Sequence, residues 1–214
     1  MSNKVSIAKC SDAWDYETIL ASTRKLLEPF GGMSAFVKKG EKVILKPNIC
    51  VTAGKETGLV TNPLLTKAVA VLAMEAGAGE VKIKENAGVG RVCADVLRHS
   101  PTQKIADELG IPLEPAGVKC KTVDMMWHPE FNTLDVDEEC YDTACLINIP
   151  VIKTHVHTNV TLSMKNLKGC LPHRSMKKMH MGGVDWGLVG LANIIKPRLN
   201  IADGTIGSDG MGPV

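Results

Sequence analysis

The sequence predicts an α/β fold: a mostly parallel central sheet with helices on both faces, layered like a Rossmann domain. Three observations carry this. Short apolar runs alternate with segments of helical periodicity along the chain. The runs Val43-Ile44-Leu45 and Ala144 to Ile149 are almost unbroken by polar residues, as strands covered on both faces are. Each leads into a proline and polar residues, the mark of a loop at a strand's carboxyl end.

In chain order, Val5 to Lys9 reads as a first short strand. Asp15 to Glu28 reads as a helix with Ile19, Leu20, Leu26 and Leu27 on its apolar side. Val43 to Leu45 is a buried strand that ends at Lys46-Pro47-Asn48. Asn62-Pro63 opens a helix, with Asn as the cap and Pro at the first helical position, and Gly77 closes it. Glu80 to Lys84 is the next strand. Ala94 to His99 and Thr102 to Leu109 are helical, broken by Pro101. Ile111 to Leu113 and Lys119 to Met125 read as strands, and Ala144 to Ile149 as the most apolar one. A last helix near Trp186 to Ile195 precedes a strand from Leu199 to Ala202. From Asp203 to Val214 the glycine-rich tail reads as a loop, and the chain is expected to continue past it. Residues 1–214 are taken as one α/β domain, cut short at its C-terminus.

Composition removes whole classes. The 214 residues are 44% hydrophobic and 22% charged, which excludes a disordered chain. No apolar run reaches the roughly 18 residues of a membrane span. Seven cysteines without a C-x-x-C pair encode no zinc ribbon or ferredoxin-type cluster loop. Their odd number and the absence of an export signal point to a reduced, cytoplasmic protein. No G-x-x-x-x-G-K-[ST] or G-x-S-x-G motif occurs, which disfavours P-loop hydrolases and α/β-hydrolases. Asn86-Ala87-Gly88-Val89-Gly90 starts like a dinucleotide loop, but Cys93 stands where its third glycine belongs, so a tight turn is the better account.

Charge distribution gives the strongest functional signal. The net charge is only +2, yet the 42 residues from Thr143 to Val184 contain no Asp or Glu. They hold Lys153, Lys165, Lys168, Arg174, Lys177 and Lys178, and four of the six histidines: His155, His157, His173 and His180. Such a segment creates a positive field suited to a phosphate or carboxylate. A plainly solvated face and a nucleic-acid surface are the competing accounts. Nucleic acid is disfavoured because no aromatic residue lies between Tyr141 and Trp186 to stack on bases. For a metal, His155, His157 and His180 are the weak candidates, the first two sharing a face if the segment is extended. Met164, Met176, Met179 and Met181 read as packing. In parallel sheets ligands sit beyond the strands' carboxyl ends, which directs attention to the loops from Lys46, Glu85, Lys153 and Asp203.

Several stretches also resemble a known family, domain of unknown function 362. They are Val43-Ile44-Leu45-Lys46-Pro47-Asn48, Asn62-Pro63 with Glu75-Ala76-Gly77-Ala78, and Ile152-Lys153-Thr154-His155. Ser163-Met164-Lys165-Asn166-Leu167-Lys168-Gly169, Asp203-Gly204 and Gly210-Met211-Gly212-Pro213 complete the set. The resemblance implies Lys46, Asn48, Lys153, His155, Lys165, Asn166, His180 and Asp203 as the polar motif positions. It transfers no settled reaction. Some relatives carry ferredoxin-like iron–sulfur modules, which implies a ferredoxin-like redox partner as an alternative; the cofactor stays unknown.

The expected function is binding of a small anionic molecule, extending to catalysis on it. His155, Lys153 and Lys165 are the catalytic candidates, with His155 as acid or base. Lys46, Asn48, Asn166, Lys168, His180 and Asp203 are the ligand-binding candidates. The alternatives are a metal-associated or iron–sulfur redox accessory protein and a module that docks an acidic partner.

Overall fold

A computed structural model describes residues 4–125 and 130–210. Its central sheet is α/β and wholly parallel. Strands β1 (Lys42–Pro47), β2 (Glu80–Glu85), β3 (Leu113–Pro115), β6 (Cys145–Ile149) and β9 (Leu199–Asn200) lie in the order β3-β2-β1-β6-β9. Chain order runs outward in both directions from the β1–β6 junction. That junction is the topological switch point, and in sheets of this kind the crevice for ligands lies at the carboxyl ends of the strands there.

Register explains how the core and the site share these strands. Val43 and Leu45 pair with Cys145 and Ile147, and their side chains face one side. Helices α1 (Tyr16–Leu27) and α2 (Pro63–Glu75) pack there through Ile19, Leu27, Leu65, Val69 and Leu72, with Ala106 of α4 (Pro101–Leu109). Ile44 and Leu146 face the other side, against Leu134, Met176, Met179, Leu188 and Leu191. Lys46 and Asn148, the next pair on that side, stand where the apolar layer ends. α2 begins as the sequence implies: Asn62 caps the Leu64 amide (3.0 Å), Pro63 is the first helical residue, and Gly77 (φ +94°) turns the chain out.

The second face holds a hairpin and a helical run that the sequence left partly unassigned. Strand β4 (Cys120–Asp124) does not join the parallel sheet; it pairs antiparallel with β5 (Thr133–Asp137). The short α5 (Glu138–Asp142) follows. Past β6 come a hairpin of β7 (Val151–His155) and β8 (Asn159–Thr161), then α6 (Ser163–Asn166), a 3-10 turn (Leu167–Cys170), α7 (His173–Gly182) and α8 (Val184–Ile194). Helix α3 (Cys93–Arg98) covers Ile49 and Ala87 with Val96 and Leu97.

Three expectations need correction. The segment from Val5 to Lys9 forms no strand among the described residues, and Val5 and Ile7 are exposed. Apolar alternation alone does not supply a neighbouring strand. Asp203 to Ser208 is not loop but strand β10, parallel to β7 with a bulge between Asp203 and Ser208; the expected tail from Met211 on lies outside the described residues. And His155 and His157 are not successive same-face positions of one strand. His155 ends β7, His157 sits in the hairpin turn, and Asn159 takes the left-handed φ of +58° that closes it. Of the four methionines read as packing, Met176 and Met179 are buried, whereas Met164 and Met181 are exposed.

Among the described residues no helix is long and apolar enough to cross a membrane. All seven cysteines are free thiols.

Candidate functional site

The floor of the crevice is a buried polar network at the β1–β6 switch point. Lys46, the last but one residue of β1, is fully buried and ion-paired with Glu85 at the end of β2; its ammonium also donates to the Pro47 carbonyl (2.9 Å). Glu85 in turn accepts the Asn86 amide (2.8 Å) and the Ile49 amide (3.3 Å). Burial pushes the Glu85 carboxyl above the usual carboxylate range, against the pull of Lys46. Gly169 lies against this pair. A Cβ there would overlap Glu85 Oε1 and stand 2.6 Å from Lys46 Nζ, so any other residue would have to push the ion pair aside.

Four asparagines tie the strand ends to α6. The Asn166 amide donates to Asn148 Oδ1 (2.8 Å) and the Lys46 carbonyl (3.0 Å), and its oxygen accepts from Asn48 Nδ2 (2.8 Å). Asn148 Nδ2 donates to Asn200 Oδ1 (2.8 Å) and the Ser163 carbonyl (2.9 Å). Fully satisfied networks of this kind hold a site rigid. They also set the orientation of Lys165, the neighbour of Asn166.

A cationic wall stands on this floor. The Lys153 ammonium donates to Asn48 Oδ1 (3.1 Å), to the Leu59 carbonyl and towards Cys50 Sγ (3.4 Å). Lys168 bonds His180 Nε2. The rings of His155 and His157, and of His157 and His180, lie 5.6 Å apart between centroids. His155 Nδ1 accepts the His157 amide (3.1 Å), which puts the proton of the neutral ring on Nε2. Among the described residues, no carboxylate comes within 4 Å of the ammonium groups of Lys153, Lys165 or Lys168. Every other buried or half-buried lysine except Lys55 is ion-paired.

The electrostatics follow from this crowding. Burial, then the charges of Lys168 and Lys153, lowers Lys165 to about 7. Burial lowers Lys168 to about 8. Burial first, then nearby cations, lowers His155 to about 4, with Lys165 the leading one, and His180 to about 4, with Lys168 leading. Near neutral pH the wall thus combines charged ammonium with neutral amine and neutral imidazole. Such a set can hold an anion and can accept or donate a proton.

The structure therefore gathers Lys46, Asn48, Lys153, His155, Lys165, Asn166, Lys168 and His180, with His157 beside them. Lys46 is present but its charge is matched by Glu85. Asp203 is used elsewhere: buried, it accepts the Asn62 amide (2.7 Å) at the start of α2 and both the amide (2.9 Å) and hydroxyl (2.7 Å) of Thr205. No contact joins it to the lysine wall among the described residues. The rest of the acid-free run is a different surface. On the outer face of α7, Arg174 pairs with Asp135 (2.7 Å), Lys178 donates to the Thr133 carbonyl (2.8 Å), and Lys177 is exposed. His173 bonds the Ala87 carbonyl (3.2 Å). Among the described residues no three His, Cys, Asp or Glu side chains surround a common point as metal ligands would, His155, His157 and His180 included. Sequence reasoning missed Glu85 as the partner of Lys46, Gly169 as its cover, and Asn148 and Cys50 at the rim. For Glu85, Asn148 and Cys50 the signal was position alone, at the carboxyl ends of β2 and β6 and just beyond β1; Gly169 stood only as the end of the stretch from Ser163 to Gly169.

The chain is 34% identical over 221 residues to a thylakoid-associated protein of Synechocystis sp., an alignment covering all of this chain and 67% of that protein. A crystal structure of a Thermotoga maritima protein from the Northeast Structural Genomics Consortium aligns with 92% of this chain and 52% of its own, at 13% identity and a TM-score of 0.45; the chain spans about half of it. Residues 43–214, which hold the whole floor and wall, match the family described as domain of unknown function (DUF362), and the chain belongs to that family.

Proposed function

We propose that this protein binds a small anion, a phosphate or a carboxylate, in the crevice at the β1–β6 switch point, and that the neutral nitrogens of the wall serve chemistry on it. One observation carries the reading: Lys153, Lys165 and Lys168 are gathered and partly desolvated without a carboxylate within ion-pair distance, in a protein that pairs almost all its other sheltered lysines. Burying like charges without a counter-ion is costly. An anion that enters removes this cost and binds the folded state alone. Asn48 and Asn166 fix the floor, Lys153, Lys165 and Lys168 hold charge, and His155 and His180 stay neutral.

The test is thermal unfolding with and without phosphate. At 100 times its dissociation constant a ligand adds about 2.7 kcal/mol to stability. The Lys153→Met/Lys165→Met double variant should lose that gain. An unchanged gain in the double variant overturns the reading. An acidic protein, a ferredoxin-like one included, would engage the same lysines, but phosphate alone would then give no stabilisation. The free thiols support a reducing compartment such as the cytoplasm.

A further inference from the structure

We propose that Lys165 is a covalent amine, which forms an imine with a small aldehyde or ketone that carries a phosphate or carboxylate group. The proposal rests on the anion-site reading above and names its substrate class.

The geometry separates two jobs among three lysines. Lys153 is fixed by Asn48, the Leu59 carbonyl and Cys50, and Lys168 by His180. Lys165 has neither a hydrogen bond nor an ion pair among the described residues. It is half-buried on α6, whose neighbouring Asn166 is locked to β1 and β6. A single amine, positioned by its backbone and left without a partner between two anchored ammonium groups, fits an electrophile that an anionic substituent delivers. The groups facing it are Lys153 and His155 from β7, Lys168 from the 3-10 turn, His180 from α7 and Cys50 beyond β1; none of them is a carboxylate. Burial first, then the charges of Lys168 and Lys153, lowers Lys165 to about 7, so a large fraction is free amine at neutral pH.

The step balances without an oxidant or reductant. The Lys165 nitrogen lone pair adds to the carbonyl carbon, and the C=O π pair moves to oxygen. That oxygen takes up the proton released by the nitrogen and a carbinolamine results. The Lys168 ammonium, lowered to about 8, then gives a proton to the hydroxyl, and water leaves with the C–O pair as the nitrogen lone pair closes the C=N bond. The products are a protonated imine, one water and a neutral Lys168. The iminium is an electron sink for the adjacent carbon, which is the chemistry such lysines supply.

Pyridoxal 5′-phosphate is a suitable probe, because it joins an aldehyde to a phosphate. The protein at pH 7.5 is mixed with one equivalent, reduced with borohydride and mapped by peptide mass spectrometry, with thermal unfolding in phosphate run in parallel. Lys165 should carry at least about ten times the label of the exposed Lys177, since at about 7 much of Lys165 is free amine at this pH. Inorganic phosphate should compete the label away, and Lys165→Arg should keep the thermal response while losing the label. If phosphate stabilises the protein but the label spreads over exposed lysines, the imine falls and the anion site stands. If phosphate neither stabilises nor protects, both fall.

Discussion

Lys46 and Lys165 are the same side chain, set in one crevice and handled in opposite ways. Lys46 is fully buried; Glu85, itself held by two peptide amides, the Pro47 carbonyl and the close approach of Gly169 build a complete environment around its charge. Lys165 is only half-buried, yet it has no counter-charge and its neighbours are further cations. Burial depth alone therefore does not mark a functional lysine. The paired one belongs to the architecture, since its charge is already answered. The unpaired one, under the anion-site proposal, raises the energy of the empty site, and a bound anion would relieve it. The polar layer of Lys46 and Asn148 begins where the apolar layer of Ile44 and Leu146 stops, and α6, which carries Lys165, is tied to that layer through Asn166.

The comparison breaks most visibly at Glu85. Replacing Glu85 with Ala leaves Lys46 buried and uncompensated, and a loss of about 3–5 kcal/mol is expected in urea unfolding. The Lys46→Met/Glu85→Leu double variant should recover most of it. A single-variant loss below about 1 kcal/mol would mean that the pair is not the structural element described. A smaller effect comes from Gly169→Ala, whose new methyl forces the ion pair apart; about 1–3 kcal/mol of destabilisation is expected from the same measurement.

Lys165 should respond with the opposite sign. Lys165→Met removes an unanswered cation, so the anion-free protein gains stability, by about 0.5–2 kcal/mol, as changes that relieve a strained site do. The same variant should lose much of the phosphate response. A loss of stability without anion would show that Lys165 is structural like Lys46.

The pH dependence sharpens the contrast most finely. The folded state holds Lys165 at about 7 and Lys168 at about 8, below the 10.5 of an unperturbed lysine. Between those values the unfolded chain binds more protons, so these groups make stability rise with pH from about 7 to about 10. Below about 7 both states are protonated and the penalty is complete. His155 and His180, at about 4 against 6.5, extend the same upward slope from about pH 4 to 6.5. Melting temperatures across this range should trace both windows, and Lys165→Met should flatten the upper one. NMR titration should find both imidazoles neutral at pH 6. A folded His155 pKa above 6.5 would instead require a carboxylate beside the ring.

Much of the frame was legible in the residues. The unbroken runs at Val43 and Cys145, the Asn62-Pro63 start and the Gly77 stop are local signals, and each element formed where they stand. The hairpin of β4 and β5 was not legible as a hairpin, because a strand's propensity does not name its partner. Helix α7 was hidden by its basic face, which lacks the apolar stripe of α1; Met176 and Met179 are its only large buried side chains. The acid-free run from Thr143 to Val184 pointed to the right region but merged two surfaces, since charge counting does not tell which lysines share a face with an acid from elsewhere.

By itself, then, the sequence determined the α/β class, the strands that carry the crevice, and an acid-free cationic segment, all properties of neighbours in the chain. Only the tertiary structure decided which of those cations are answered. Glu85 reaches Lys46 across 39 positions, Asn48 meets Asn166 across 118, and Asp203 is drawn away to Asn62 across 141. A charge's energy depends on its distance to other charges and to water. Distances of that kind are fixed by the order of strands in the sheet, so Lys46 and Lys165, alike in the sequence, part company only when the sheet closes.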